Sequence, residues 1–375
     1  MEIKLNVLPE TTRDFFNDVR VPQIRSTPLA TLDECPRKFL YQAKLGLRTK
    51  TVERPLSVGT FVHLTLAGLF MGKSEEEALA YSEAALKKNE SDLVGWANPA
   101  GFLPDGSDLK STLQNLYEDY YKARAMALVF WRFRPFDASK WEVLCDPSGQ
   151  PMIERHLEHD IGLGVPIRTT CDLALVKKET GEVWIVDFKT TSFDARKRSQ
   201  PTAFSPQLQL YRLGLQMELD KWNSENRIPP LPVRVCFPLK VAGSFHAIIQ
   251  KPTIKFCPNT KDKGGFQDYV ARLVQWYKDK EEADPNHPPM LLDSTRFPAA
   301  LVTQELWGRL KRYVEAAGHD FDLDYFYRAG ESACFKFNRV CPFMPLCNST
   351  PALWPEIVRN MFVISFREDE EKEEV

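Results

Sequence analysis

The ten residues from Glu182 to Thr191 read Glu-Val-Trp-Ile-Val-Asp-Phe-Lys-Thr-Thr, an apolar run that ends in an acid and a base two positions apart. Side chains alternate along a strand, so Val183, Ile185, Asp187 and Lys189 share one face while Trp184, Val186 and Phe188 share the other. The stretch before it, Pro166 to Val176, is also strand-like, and the intervening Lys177-Lys178-Glu179-Thr180-Gly181 has the composition of a hairpin loop. Pairing the two strands sets Asp172 against Asp187. Two carboxylates held together repel each other, so the pair makes chemical sense when a divalent cation lies between them and a phosphate is the substrate.

Cysteine offers a second constellation. Of the eight in the chain, Cys334, Cys341 and Cys347 lie close together and Cys35 stands alone before Pro36. An intracellular chain is not the place for a disulfide framework, and four grouped thiolates suit a [4Fe–4S] cluster or a zinc ion. Cys145, Cys171, Cys236 and Cys257 are scattered and read as small packing residues.

The elements that must position these groups change character along the chain. Thr27-Pro28 reads as a helix N-cap with Pro at the first helical position, and a second start follows at Cys35-Pro36. Pro55 to Met71 is an apolar helix carrying Gly59 and His63. Ser74-Glu75-Glu76-Glu77 is a capping box opening the next helix, Gly95 to Asp108 is loop-like, and Ser111 to Phe133 is a long helix whose aromatic residues read as core. After Pro135 the period shifts toward two, with strands near Trp141 to Leu144, Met152 to Ile161, Pro166 to Val176 and Val183 to Lys189; Glu154 lies on the second. Ser192 to Thr202 is a basic loop holding Arg196, Lys197 and Arg198. A helix over about Phe204 to Trp222 puts Gln207 and Tyr211 on one face. Strands resume at Val233 to Phe237 and Ser244 to Thr253. Helix returns at Gln267 to Glu282 and at Gln304 to Ala317, the latter closed by Gly318.

These elements predict an α/β (α+β) chain in three parts: a helical region over 1–138, a small central mixed sheet over 139–256, and a helical region over 257–375 ending in an acidic tail. A length of 375 residues is ample for such a core, and the net charge of −2 means that any phosphate-binding surface is local. No stretch is apolar and long enough to span a bilayer, and the amino terminus lacks a signal peptide's long apolar run, so a soluble, cytoplasmic protein with no membrane partner is expected.

In chain order the chemical signals are Gly59-x3-His63, Glu154, Thr170-Cys171-Asp172, Asp187-Phe188-Lys189-Thr190 and Gln207-x3-Tyr211. This series resembles the RecB-like branch of the PD-(D/E)xK nuclease superfamily, which includes AddB-type and CRISPR-associated exonucleases, from about Thr27 to Cys347. The departures are Thr170, where relatives often have Gly, and six residues between Cys334 and Cys341, where many have two. The resemblance implies a restriction-endonuclease-like sheet flanked by helices, with catalytic residues Asp172, Asp187, Lys189, Gln207 and Tyr211. It implies Mg²⁺ or Mn²⁺ held by His63, Asp172, Asp187 and the carbonyl of Phe188, with Glu154 reaching the metal through water. It also implies a [4Fe–4S] cluster on Cys35, Cys334, Cys341 and Cys347 that joins the two helical ends, with structural Zn²⁺ as the alternative. The expected activity is that of a metal-dependent deoxyribonuclease, an exonuclease at single-stranded or duplex DNA ends in recombination, repair or phage DNA metabolism. A structure-specific or CRISPR-adaptation-type endonuclease and a non-catalytic DNA-binding subunit are the alternatives. No Gly-x4-Gly-Lys-Ser/Thr phosphate loop is present, so unwinding would fall to a helicase or recombination partner.

Overall fold

A computed structural model describes residues 15–16, 21–50, 54–133, 136–196, 205–227, 229, 238–257, 259–297, 300, 302–336 and 339–365. The expected strand at Val233 to Phe237, Cys236, Lys197, Arg198 and the acidic tail lie outside the described residues.

The helices of the first part form where their sequence signals lie. Helix α1 (Ser26–Glu34) runs into Cys35, which caps α2 (Pro36–Phe39), and this continues as a π-helical turn, Leu40–Lys44. Thr27 is not the cap of α1. The helix starts two residues earlier, at Ser26 after Arg25, and Pro28 sits in the first turn, where its missing N–H removes no helical hydrogen bond. A short strand β1 (Leu47–Thr49) precedes α3 (Arg54–Phe70). Helix α4 (Glu75–Trp96) opens on the expected box: the Ser74 hydroxyl accepts from the Glu77 N–H and the Glu77 carboxylate accepts from the Ser74 N–H. Helix α5 (Leu109–Phe133) buries Tyr120 and Phe130, as its aromatic spacing implies.

The central sheet is built from β2 (Trp141–Val143), β3 (Ile153–His159), β4 (Ile167–Lys177), β5 (Glu182–Thr191), β6 (Lys240–Gln250) and β7 (Met290–Arg296). The order is β2-β4-β5-β6-β7, with β3 also on β4. All pairs are antiparallel except β5 with β6, between which α6 (Pro206–Ser224) forms the crossover that parallel neighbours require. Helix α7 (Phe266–Ala283) follows β6. Strand β7 falls in the part expected to be helical; its sequence, Met-Leu-Leu-Asp-Ser-Thr-Arg, lacks clean alternation, and its pairing with β6 makes it a strand.

Alternation along β5 divides the core. Trp184, Val186 and Phe188 pack under α3, α4, α5 and α7, while Val183 and Ile185 pack under α6. Helix α6 lies close on β4 because residue 214 is glycine; a Cβ there would meet the Thr169 hydroxyl at 2.6 Å.

The two ends of the chain share a third core. Phe39, Leu40 and Tyr41 pack with Leu310 and Tyr313 of α8 (Gln304–Gly318), and with Leu346, Trp354 and Phe362 from beyond it. The later elements are α9 (Glu331–Cys334), β8 (Phe335–Lys336), β9 (Arg339–Val340), α10 (Met344–Cys347), α11 (Trp354–Met361) and β10 (Phe362–Ile364). Strand β10 pairs antiparallel with β1, so the ends are also joined through backbone. Gly318 does not close α8 in a left-handed turn. It is the last helical residue, and the Lys44 ammonium donates to the carbonyls of Ala316, Ala317 and His319 at 3.2, 2.8 and 2.5 Å. A cation at a helix C-terminus satisfies orphaned carbonyls and opposes the negative end of the dipole.

Candidate active site

The antiparallel register of β4 and β5 pairs Leu173 with Val186, which brings Asp172 opposite Asp187 one step further on. Both carboxylates are buried, at 5% and 1% exposure. Asp172 Oδ2 accepts from the Phe188 N–H at 2.9 Å. The Lys189 ammonium donates to Asp187 Oδ1 at 2.7 Å.

Helix α3 delivers His63 onto this strand end. Its Nε2 lies 2.8 Å from the Phe188 carbonyl oxygen. A carbonyl only accepts, so the proton sits on Nε2 and the other nitrogen, Nδ1, faces two carboxylates, Glu154 at 3.3 Å and Asp172 at 3.6 Å. The expected ligand role of the Phe188 carbonyl therefore meets a carbonyl with one lone pair already engaged. Ligand atoms of His63, Glu154 and Asp172 all lie within 4.8 Å of one another, the spacing of a metal-holding group.

Glu154 joins that group directly. The pairing of β3 with β4 matches Ile153 with Leu173 and Arg155 with Cys171 but skips Glu154 and Asp172. At the skip Glu154 has φ +47°, a left-handed conformation costly for a residue with a Cβ. Across the break the strand changes face: Cys171 packs under α6, whereas Leu173 packs under α3 to α5. The distortion is what aims the Glu154 carboxylate at His63.

The electrostatics follow from crowding acids in a dry place. Burial works against the His63 imidazolium, yet the Asp172 and Glu154 carboxylates outweigh it and lift the pKa to about 9. Burial pushes the Asp172 carboxyl up to about 7, a rise opposed by His63 and reinforced by Glu154 and Asp187. Asp187 is held below the usual carboxylate range, because Lys189 and His246 overcome its burial. Burial also carries the Tyr211 phenol well above its ordinary value, so it remains a hydrogen-bond group rather than a base. Gln207 Nε2 donates to Tyr211 Oη at 2.6 Å, as their four-residue spacing on α6 allows.

His246 is a residue the sequence reading did not single out. The parallel register of β5 with β6 pairs it with Asp187, and its Nδ1 stands 3.3 Å from Asp187 Oδ2 with 3% of the residue exposed. The signal was a lone titratable side chain inside the apolar run Phe245 to Ile249. Even so, Asp187 Oδ2 is buried without an aligned hydrogen-bond partner. Asp187 is not among the residues whose ligand atoms meet within 4.8 Å; it stands next to that group with a buried carboxylate oxygen whose lone pairs would suit a hard divalent cation.

His63, Glu154, Asp172, Lys189, Thr190, Gln207 and Tyr211 all line one cavity of about 590 Å³. The sequence profile of the PD-(D/E)XK nuclease superfamily matches residues 26–348. The chain belongs to the PD-(D/E)XK nuclease superfamily. A comparison with curated proteins finds no match. As a member of the PD-(D/E)XK superfamily the chain has the fold of a nuclease family whose members are metal-dependent. No described helix is long and apolar enough to cross a membrane.

The cysteines lie apart from this cavity. Arg37 donates to the carbonyl of Leu323 at 2.6 Å and its N–H to that of Tyr327, which brings Cys35 to the carboxyl-terminal segment. The Cys341 N–H donates to the Cys334 carbonyl at 2.7 Å, and the Cys341 thiol has Cys334 and Cys35 among its electrostatic neighbours. Cys347 lies among Tyr41, Arg328, Arg37 and Cys341. Among the described residues no three of these sulfurs come within 4.8 Å of one another. Tetrahedral zinc, with Zn–S near 2.3 Å, would hold them about 3.8 Å apart.

Proposed function

We propose that this chain is a Mg²⁺- or Mn²⁺-dependent deoxyribonuclease that works as an exonuclease at DNA ends. The observation that carries the reading is the convergence of His63, Glu154, Asp172 and Lys189 on one cavity of a PD-(D/E)XK chain, with Asp187 buried behind the wall and bonded to Lys189. His63 through Nδ1 and the Asp172 and Glu154 carboxylates, with Asp187 through Oδ2, would hold the cation. When bound it supplies Lewis acidity toward the phosphoryl oxygens and the attacking water. Lys189, anchored on Asp187 at the cavity wall, orients the water and steadies charge developing on the phosphate. His246 keeps Asp187 ionised and in place from behind. Gln207 and Tyr211 form a neutral hydrogen-bonding pair that positions the phosphate.

We further propose that Cys35, Cys334, Cys341 and Cys347 hold a [4Fe–4S] cluster. What supports this reading is the sequence resemblance; among the described residues the cysteines share a neighbourhood but do not close into a metal-holding group. The sequence resemblance supports a role in recombination, repair or phage DNA metabolism, with a helicase or recombination partner.

End-labelled single-stranded and duplex DNA digested with Mg²⁺ or Mn²⁺ tests the enzyme. Stepwise loss of terminal nucleotides is expected, stopped by EDTA and abolished by Asp187→Ala, with Lys189→Ala slower by about 10²–10³-fold. Cleavage by Asp187→Ala at the parental rate would overturn the assignment. Internal cuts in circular DNA would replace exonuclease with endonuclease.

A further inference from the structure

Which residues stand opposite one another across an antiparallel hairpin is fixed by its register. The short hairpin of β8 and β9 pairs Lys336 with Arg339 and Phe335 with Val340, and one step further out the same register sets Cys334 against Cys341. The hydrogen bonding continues that far, since the Cys341 N–H donates to the Cys334 carbonyl at 2.7 Å. Directly opposed residues in a hydrogen-bonded antiparallel pair keep their Cα atoms about 5.5 Å apart, inside the span of about 4.4–6.8 Å that a disulfide bridges. Their Cβ atoms lie about 4.5–5.5 Å apart, the wide end of what the bond accepts, so a bridge closes here and is also easily reduced. Both thiols are half-buried and not in a disulfide, and the neighbouring Phe335 and Val340 are each 56% exposed, which leaves the pair within reach of small oxidants and reductants. The other two grouped cysteines are placed differently. Cys35 is buried where α1 meets α2, and Cys347 ends α10 against Tyr41.

We propose that Cys334 and Cys341 are a site of reversible oxidation, closing a cross-strand disulfide when the chain meets hydrogen peroxide. One thiol takes an oxygen from the peroxide; the O–O bond breaks, water leaves, and the sulfur becomes a sulfenic acid. The second thiol then displaces that hydroxyl as a second water, and the S–S bond forms. Two electrons and two protons pass from the thiols to one peroxide, and a dithiol returns them when it reduces the bridge. In a reducing compartment a bond of this kind is transient and reports on oxidants rather than holding the fold. The pairing needs no metal, because it stands on the hairpin register alone. Its consequence for the four-cysteine cluster rests on the cluster reading above: a joined pair withdraws two of the four thiols, so oxidation and cluster assembly exclude each other.

The test takes the full chain, reduced and freed of metal with EDTA, through hydrogen peroxide treatment and alkylation of the remaining thiols. Peptides from a digest without reductant are then read by mass spectrometry. A Cys334–Cys341 bridge should be the main product, with two of the eight thiols lost and both recovered by dithiothreitol. Cys334→Ser, a near-isosteric change at a half-buried position, should lose the bridge and leave Cys341 as a sulfenic acid that dimedone traps. A main bridge from Cys341 to Cys35 or Cys347, or both thiols still open to alkylation after treatment, overturns the pair. Reconstitution with iron and sulfide separates this proposal from the cluster reading. The reduced chain should take up iron, and the bridged chain should not until reductant is added. Equal uptake by the bridged and reduced chains overturns the mutual exclusion. No uptake by the reduced chain sinks the cluster reading instead, while the peptide map still decides the pair.

Discussion

His63 and the carboxylates around it hold a proton where a cation would sit, and this makes the metal site visible without turnover. The folded-state pKa of His63 is about 9 against an ordinary 6.5, so its contribution to stability is complete below about 6.5 and is lost as pH rises through 9. Asp172, raised to about 7 from 3.8, acts in the same direction: its contribution is complete below 3.8 and is lost as pH rises through 7. Melting of the metal-free protein should therefore fall through this window on account of these two groups. Mn²⁺ must displace the protons, so its stabilising shift should be greater at pH 9 than at pH 6 and should vanish in Asp172→Asn. Scanning fluorimetry in EDTA and in Mn²⁺ at both pH values checks it, and a pH-independent shift would contradict the arrangement. His246 makes a second prediction at this scale. His246→Leu removes the imidazole beside Asp187 Oδ2, leaving Lys189 as its close polar partner, and should lower both Mn²⁺ affinity and cleavage. His246→Asn restores a donor at the same position and should recover part of both. Loss of stability with unchanged Mn²⁺ affinity, read by calorimetry, would reduce His246 to a packing residue.

Among the elements, α8 depends most on a residue distant in sequence. Its final carbonyls are satisfied by Lys44, a fully buried lysine from the π-helical turn after α2. Lys44→Met keeps the length of the side chain but strips the donors from three carbonyls. The expected cost is roughly 2–4 kcal/mol, since hydrogen bonds from charged donors and the exposure of orphaned acceptors both enter. Urea denaturation measures it, and a midpoint within error of the parental protein would show that water replaces the ammonium. Element boundaries were mostly legible before the structure, because caps such as Ser74 and the apolar periods of α3 and α5 are local signals. Strand β7 was not, because a strand without alternation acquires its identity only from the partner beside it.

For the whole molecule, the question is what holds the two helical ends together. A cross-link between Cys35 and the Cys334 to Cys347 segment would close a loop of about three hundred residues and strongly restrict the unfolded chain. The structure adds two independent ties, the shared apolar core around Trp354 and the pairing of β1 with β10. Cys341→Ala should therefore lose the brown colour of anaerobically purified protein and melt earlier, yet remain folded rather than collapse. Iron and sulfide analysis checks the cofactor. A colourless parental protein with one stoichiometric zinc would replace the cluster, and one with neither metal and an unchanged melting curve in Cys341→Ala would remove the staple.

The sequence by itself put forward most of the candidate residues and the faces of the elements that carry them. Asp187 and Lys189 share a strand face because the period is two, and Gln207 and Tyr211 share a helix face because four residues make about one turn. Tertiary structure decided which atoms meet. Glu154 enters the metal group because β3 skips a pairing and bends to positive φ, and His246 reaches Asp187 because of the parallel register of β5 with β6. Lys44 caps a helix some 270 positions away, which no local pattern announces. Periodicity is a property of a few neighbouring residues, whereas register, strand distortion and long-range capping depend on how separate elements settle against one another as the core closes.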